Sequence, residues 1–221
     1  MTPNYQAIFY DLDDTLYPPN NGLWDAIGAR IDRFMADQMH IPPAQVPELR
    51  EALYKEYGTT LRGLYLTRQA DAPAYLKYVH DVPLAEFIQP NPALRPILLR
   101  YPQPRYILTN ADHAHAGRVL DRLGVGDCFT DIISIDDFFP ACKPMADAFR
   151  VALRKARVED AGRAIFIDDS PRNLRGAAEL GFFTLRVGGC DPVEGESACV
   201  PSLADLPSVL DALLLEEPCA K

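Results

Sequence analysis

Five short apolar runs, each closing on polar residues and each separated from the next by a longer stretch with helical spacing, constrain this chain more than any other feature. They are Ala7 to Asp11, Arg105 to Leu108, Ile132 to Ile135, Ala164 to Ile167 and Phe183 to Val187. Runs of this kind, apolar on both faces, belong to strands covered on two sides. Their alternation with helices predicts an α/β fold with a Rossmann-like, doubly wound parallel sheet. Helices are expected over Asp112 to Leu123, stopped by Gly124; over Met145 to Ala156, after Pro144; over Leu174 to Leu180, stopped by Gly181; and beyond Asp205, read as a cap before Pro207.

One region breaks the alternation. From about Gly22 to Gln89 no strand pattern occurs, while Leu23, Ile27, Ile31, Phe34 and Met35 form one helical stripe and Leu49, Leu53 and Tyr57 begin another, with a further helix around Ala74 to His80. Normal βα connections take about 2–6 residues, so a segment this long reads as an insertion rather than a crossover. The expected division is a catalytic core of residues 1–17 and 90–221 with an all-helical cap of residues 18–89. The stretch from Gly188 to Ser202 carries no assignable pattern.

In an open parallel sheet, ligands bind beyond the carboxyl ends of the strands. The residues there are Asp11, Asp13, Asp14 and Thr15 after the first run, Thr109 and Asn110 after the second, Lys143 before a helix, and Asp168, Asp169 and Ser170 after the fourth. Carboxylates gathered at one rim raise each other's pKa unless a cation intervenes, so the group calls for a metal, a lysine or both. Oxygen-only ligands favour magnesium over zinc. Beside such a cation one Asp can attack phosphorus while a second, two residues on, moves the proton, and Thr109 with Lys143 can stabilise the phosphoryl oxygens. Alone, an Asp-x-Asp after a strand is a solvated turn, a lysine before a helix a surface charge, and a threonine at a strand end a cap.

Taken together, DLDDTLYP, the ILTN segment, Lys143 with Pro144, and IFIDDSPRN resemble, in order, the four motifs of the haloacid dehalogenase superfamily. The resemblance implies Asp11 as nucleophile, Asp13 as general acid and base, and Thr109, the Asn110 backbone and Lys143 as phosphoryl binders. It implies Mg2+ held by Asp11, the Asp13 carbonyl and Asp169, with Asp168 and Asn173 in support. A helical cap after the first motif, YGTTLRGL within it, the triplet Val79, His80, Asp81, and TNADHAHAGRVLDRLG are similar to the pyrimidine 5′-nucleotidase branch, although Asp14 stands where that branch often has Asn. Tyr57, Thr60, Arg62 and His80 are the cap residues expected to meet a nucleoside; packing explains Tyr57 equally well, and a half-buried histidine is the commoner fate of His80. His113 and His115 are expected to face solvent or to support the site, and Arg172 to pair with a surface carboxylate.

Competing activities are carbon–halogen hydrolysis, which the resemblance ties to a site without metal or second acid; phosphoryl transfer to an alcohol, as in mutases; hydrolysis of a sugar phosphate, phosphoglycolate or pyridoxal phosphate; and a catalytically silent binding or receiver-like module. A receiver would carry its phosphorylated Asp on a later strand than its acidic pair and would have no helical insertion. A formal charge of −9 with no basic run disfavours a nucleic-acid polymer as partner. With no signal peptide and no membrane-length apolar stretch, the expectation is a soluble cytoplasmic protein acting on a small phosphomonoester. Five scattered cysteines without a CxxC pair read as reduced thiols. The chain carries no signal of oligomeric state.

Overall fold

A computed structural model describes residues 5–189 and 194–215 of the 221-residue chain. The first strand, β1 (Ala7–Tyr10), is buried at every position. A helical stretch follows: α1 (Leu23–Asp37), α2 (Val46–Tyr57), α3 (Thr60–Arg68), α4 (Ala72–Val79), α5 (Leu84–Phe87) and α6 (Leu94–Leu98). The chain then alternates: β2 (Arg105–Leu108), α7 (His113–Leu123), β3 (Asp131–Ile133), α8 (Ile135–Phe138), α9 (Ala146–Ala156), β4 (Ala164–Asp168), α10 (Pro171–Ala178), β5 (Phe183–Val187), β6 (Ala198–Val200) and α11 (Pro207–Leu214).

The six strands form one sheet in the order β3-β2-β1-β4-β5-β6, and every neighbouring pair is parallel. Strand β1 lies between β2 and β4, with Phe9 opposite Tyr106 on one side and Phe166 on the other. Chain direction across the sheet reverses at β1, so a crevice opens beyond its carboxyl end. This is the predicted doubly wound α/β sheet. Aromatic packing seals one face of it: Phe149, Phe166 and Phe182 meet edge-on or tilted, with centroids 5.3–6.5 Å apart.

Several boundaries differ from the sequence expectation, and α10, for one, runs over Pro171–Ala178 rather than Leu174 to Leu180. Strand β3 ends at Ile133 because Ser134 begins a helix, where the Asp137 carboxylate accepts the Ser134 backbone N–H at 3.0 Å; Ile135 is thereby buried in α8 rather than in the strand. The unassigned stretch holds β6, an edge strand whose start is tied by hydrogen bonds: the Ser197 N–H donates to Thr184 Oγ1 at 3.0 Å, and that hydroxyl donates to the Gly195 carbonyl at 2.6 Å. Asp205 does not cap the last helix; it closes a 3₁₀ turn over Leu203–Asp205, and α11 starts after Leu206.

Between β1 and β2 the described residues contain helices only, as expected. Helix α1 packs on α4 and α2 on α3, with Phe34 edge-on to Tyr75 at 5.1 Å. Side chains of the sheet region hold this helical segment through its backbone: Arg172 Nη1 donates to the Tyr54 carbonyl at 3.1 Å, Arg118 Nη2 to that of His80 at 2.6 Å and Arg122 Nε to that of Ile88 at 2.7 Å. In return Arg62 Nε, on α3, donates to the Pro140 carbonyl at 2.9 Å. Among the described residues no helix is long and apolar enough to cross a membrane. Cys128 and Cys142 are free thiols, and Cys190 and Cys219 lie outside the described residues.

Candidate active site

The end of β1 builds the centre. The Asp11 N–H still donates to the Ile167 carbonyl at 2.8 Å, so the strand ladder fixes its backbone, and the chain then turns through Asp14, whose φ of 61° lies in the left-handed region. Beyond β4 stand Asp168 and Asp169. Oxygens of Asp11, Asp168 and Asp169 lie within 4.8 Å of one another. The Thr15 hydroxyl joins the two strand ends: it accepts the Asp169 N–H at 3.1 Å and lies 3.4 Å from Asp169 Oδ1.

Lys143 supplies the internal cation. It is 1% exposed, and its Nζ donates to Asp11 Oδ1 at 2.6 Å and to Asp168 Oδ2 at 2.8 Å. Burial by itself would favour the neutral amine, but these two carboxylates hold the lysine above its ordinary value and keep it charged. Asn110 fixes its backbone, accepting the Lys143 N–H at 2.8 Å and donating Nδ2 to the Lys143 carbonyl at 3.0 Å. Asn173 donates to both oxygens of Asp168, at 3.2 and 3.1 Å, and the Ser170 N–H donates to Asp168 Oδ1 at 2.8 Å.

Asp11 and Asp13 sit in opposite environments. Burial, together with the charges of Asp168 and Asp169, pushes Asp11 well above the usual carboxylate range despite Lys143. Burial also acts on Asp13, but the His115 side chain and the Tyr17 hydroxyl outweigh it and hold Asp13 below that range. Burial and the neighbouring Asp168 and Asp14 push Asp169 up to about 7, and burial with the charge of Asp13 pushes Asp14 up to about 6.

These groups open into a cavity of about 840 Å³ between the sheet rim and the helical segment. The structure brings Asp11, Asp13, Thr109, Asn110, Lys143, Asp169 and Asn173 to its wall, along with Thr60 and His80. Asp168 lies behind them, fully buried. Tyr57 and Arg62 are not among the residues that line the cavity. Arg62 is drawn away by the Pro140 and Tyr57 carbonyls, and the Tyr57 carbonyl also receives the Cys142 thiol. Tyr54, three residues earlier on α2, lines the cavity.

His113 and His115 part company: His113 is exposed, while His115 is fully buried with Nε2 3.2 Å from Asp13 Oδ1. Arg172 lines the cavity with its guanidinium 5.4 Å from the Tyr54 ring centre, so its partners are an aromatic face and backbone carbonyls rather than a surface carboxylate. Residues the sequence reading passed over are Tyr17, four positions after Asp13, and Trp24, Arg50 and Tyr54 on the cavity wall. The Asp13–Tyr17 spacing was an available signal. Trp24 stands on α1, whose stripe residues Ile27 and Ile31 line the cavity too, and Arg50 and Tyr54 stand on α2.

A parallel α/β sheet thus carries, beneath the cavity, a buried lysine that bridges carboxylates from two strand ends. A family model described as haloacid dehalogenase-like hydrolase matches residues 5–181, and the chain belongs to that family. It is similar to "Phosphate metabolism protein 8" of Saccharomyces cerevisiae, 27% identical over 194 residues; these cover 81% of this chain and 60% of that protein, so the chain spans under two thirds of its relative. Its fold matches a 2-haloacid dehalogenase from Pseudomonas syringae (23% identity, TM-score 0.60, 94% of this chain and 99% of the other). A phosphatase of the same superfamily from Thermococcus onnurineus matches as well (18% identity, TM-score 0.63, 93% and 97% covered).

Proposed function

We propose that this chain is a magnesium-dependent phosphomonoesterase that works through an aspartyl-phosphate on Asp11, with small phosphorylated metabolites, first among them pyrimidine nucleoside 5′-monophosphates, as substrates. The observation that carries the reading is the pairing of Asp11, bridged by Lys143, with a second carboxylate two residues on, Asp13, that lies in the same cavity and has hydrogen-bond donors of its own. Carbon–halogen hydrolysis would leave Asp13 without a task. The curated relative, with phosphate metabolism in its name, points the same way.

In this reading an Asp11 oxygen attacks phosphorus, the Lys143 ammonium and the Thr109 hydroxyl stabilise the phosphoryl oxygens, and Asp13 gives a proton to the leaving oxygen. Asp13 then takes a proton from the water that opens the acyl-phosphate. The oxygen-only donors of Asp11, Asp168 and Asp169 fit a magnesium ion, which Asp11, Asp169 and the Asp13 carbonyl would hold with Asp168 in support. When bound it supplies positive charge against the charge of the phosphoryl group. Residues 18–89 act as the cap that shuts the cavity from water and from polymers.

Two large side chains at the cavity wall support a planar leaving group. Trp24 is 45% exposed and Tyr54 52%, and both belong to the helical segment. Exposed aromatic faces beside a polar pocket suit stacking on a base, and Arg50, held by Asp32 at 3.0 Å, stands near to meet its polar edge.

The test is phosphate release from nucleoside monophosphates, sugar phosphates, phosphoglycolate and pyridoxal phosphate, with magnesium or EDTA, for the native protein and Asp11→Asn. Magnesium-dependent release that Asp11→Asn abolishes, fastest with UMP and CMP, is the expected result. Full activity in Asp11→Asn, or no turnover of any compound, would overturn the reading.

A further inference from the structure

We propose that His115 and Tyr17 are positioning residues that act together on Asp13, both taking its Oδ1 so that Oδ2 alone exchanges the proton during the reaction. The inference rests on the reading of Asp13 as acid and base. Tyr17 donates its hydroxyl to Asp13 Oδ1 at 2.6 Å, and His115 Nε2 lies 3.2 Å from the same oxygen. Among the described residues none donates to Oδ2, and Asp13 lines the cavity. Oδ1 of Asp13 only accepts, both in the ionised carboxylate and in the acid that carries its proton on Oδ2, so the His115 ring carries its hydrogen on Nε2. Nδ1, buried and without a partner, is then a bare lone pair, which is cheaper to bury than an unpaired N–H.

The surroundings hold the ring in that pose. Asp112 accepts the His115 backbone N–H on Oδ1 at 2.7 Å and contacts His80 Nδ1 through Oδ2 at 2.5 Å. The His80 ring stacks on the His115 ring, with centres 4.3 Å apart and planes 26° from parallel. His115 therefore has its backbone capped, one face covered and one nitrogen committed to Asp13. Tyr17 is 4% exposed and equally fixed.

The consequence concerns the path of the proton. As the bond from Asp11 to phosphorus forms and the ester P–O bond breaks, the leaving oxygen takes the proton from Oδ2 of Asp13. Water then returns a proton to Oδ2 while its oxygen bonds to phosphorus and the Asp11–phosphorus bond breaks. With either donor lost, the carboxyl group can turn about its Cβ–Cγ bond and present the wrong oxygen.

The experiment compares native protein, His115→Leu, His115→Gln, Tyr17→Phe and Asp13→Asn on an alkyl phosphomonoester and on para-nitrophenyl phosphate, whose leaving oxygen needs no proton. His115→Leu and Tyr17→Phe are expected to lower kcat on the alkyl ester by roughly 10- to 100-fold with KM changed less than about threefold. On the aryl ester they are expected to give an initial burst of nitrophenolate stoichiometric with enzyme, followed by slow turnover. Gln places an amide N–H near the position of Nε2, and His115→Gln is expected to recover most of the loss. Equal losses in the first turnover of both esters, no rescue by Gln, or unchanged kcat in folded Tyr17→Phe would overturn the inference while Asp13→Asn remained inactive. A fully active Asp13→Asn would remove the reading of Asp13 and this inference with it.

Discussion

Replacing Lys143 with Met keeps the length and most of the volume of the side chain, so the change is electrostatic rather than a cavity. It removes the cation that two buried carboxylates share at 2.6 and 2.8 Å, and that lies 5.2 Å from the centre of the Phe166 ring. Taking one partner from a buried ion pair costs about 3–5 kcal/mol, because the charge left behind has neither water nor partner. At this chain length each kcal/mol moves the melting temperature by about 2–4 °C, so the variant is expected to melt roughly 6–20 °C lower in EDTA at pH 8. The loss has a definite pH dependence. Asp11 already lies well above its ordinary value and Asp169 at about 7, and without the lysine both rise further. Carboxylates raised in the folded state hold protons that the unfolded chain releases, so the variant is most stable at low pH and loses stability as pH climbs through the folded values. Its deficit against the native protein should therefore be smaller at pH 5 than at pH 8.

Thermal unfolding followed by circular dichroism at those two pH values, with and without magnesium, tests this directly. Magnesium is expected to restore part of the deficit at pH 8, by about 2.7 kcal/mol at a concentration a hundredfold above its Kd. Equal melting temperatures at pH 8 in EDTA, or the same deficit at both pH values, would refute the claim that the bridging ammonium is what allows these carboxylates to stand together.

Asn110→Ala removes both side-chain hydrogen bonds that fix the Lys143 backbone, and kcat is expected to fall about tenfold or more with KM changed less, as steady-state kinetics would show. Gly176→Ala would normally strengthen a helix, yet a Cβ there meets the Pro144 carbonyl oxygen at 2.3 Å, so urea unfolding is expected to show a loss of about 1–3 kcal/mol; a gain would contradict the close approach of α10 to the Lys143 segment. Burial holds His80 below its ordinary value of 6.5 in spite of Asp112, so the unfolded chain binds more protons as pH drops through about 6.5 and stability falls there. In His80→Gln, which keeps an amide in place of the ring, urea midpoints between pH 7 and 5.5 are expected to fall less steeply.

The strand ends were legible because both faces of the sheet are covered: a run such as Ala7 to Tyr10, buried throughout, has one register, and the residue after it must emerge at the rim. Asp11, Thr109, Asp168 and Asp169 could be brought together from order alone, and Lys143 by its need of a counter-charge. Helical residues are less determined, since periodicity locates the apolar stripe but not which polar flank faces the ligand. Hence Tyr54 was passed over although it lines the cavity, and His115, read as solvent-facing or supporting, is fully buried against Asp13. Strand β6 escaped notice because its apolar run, Ala198 to Val200, is only three residues long and lies in a stretch of Gly, Ser and Glu, tied to β5 by hydrogen bonds of Thr184 to Ser197 and Gly195.

Two aspartates separated by one residue are driven in opposite directions because the chain changes direction between them and the end of the turn. Asp11 is still tied to β4 through Ile167, so its side chain joins the carboxylates at the end of that strand and shares their mutual repulsion. Past it the chain winds into a turn, with the Leu16 N–H donating to the Leu12 carbonyl at 2.9 Å and Asp14 in the left-handed region. That turn brings Tyr17 back over Asp13 and aims Asp13 at α7, where His115 waits. Asp11 is thereby crowded by like charge, while Asp13 is served by two hydrogen-bond donors. In the proposed mechanism these two environments belong to the nucleophile and to the acid, and both are set by the β1 turn itself.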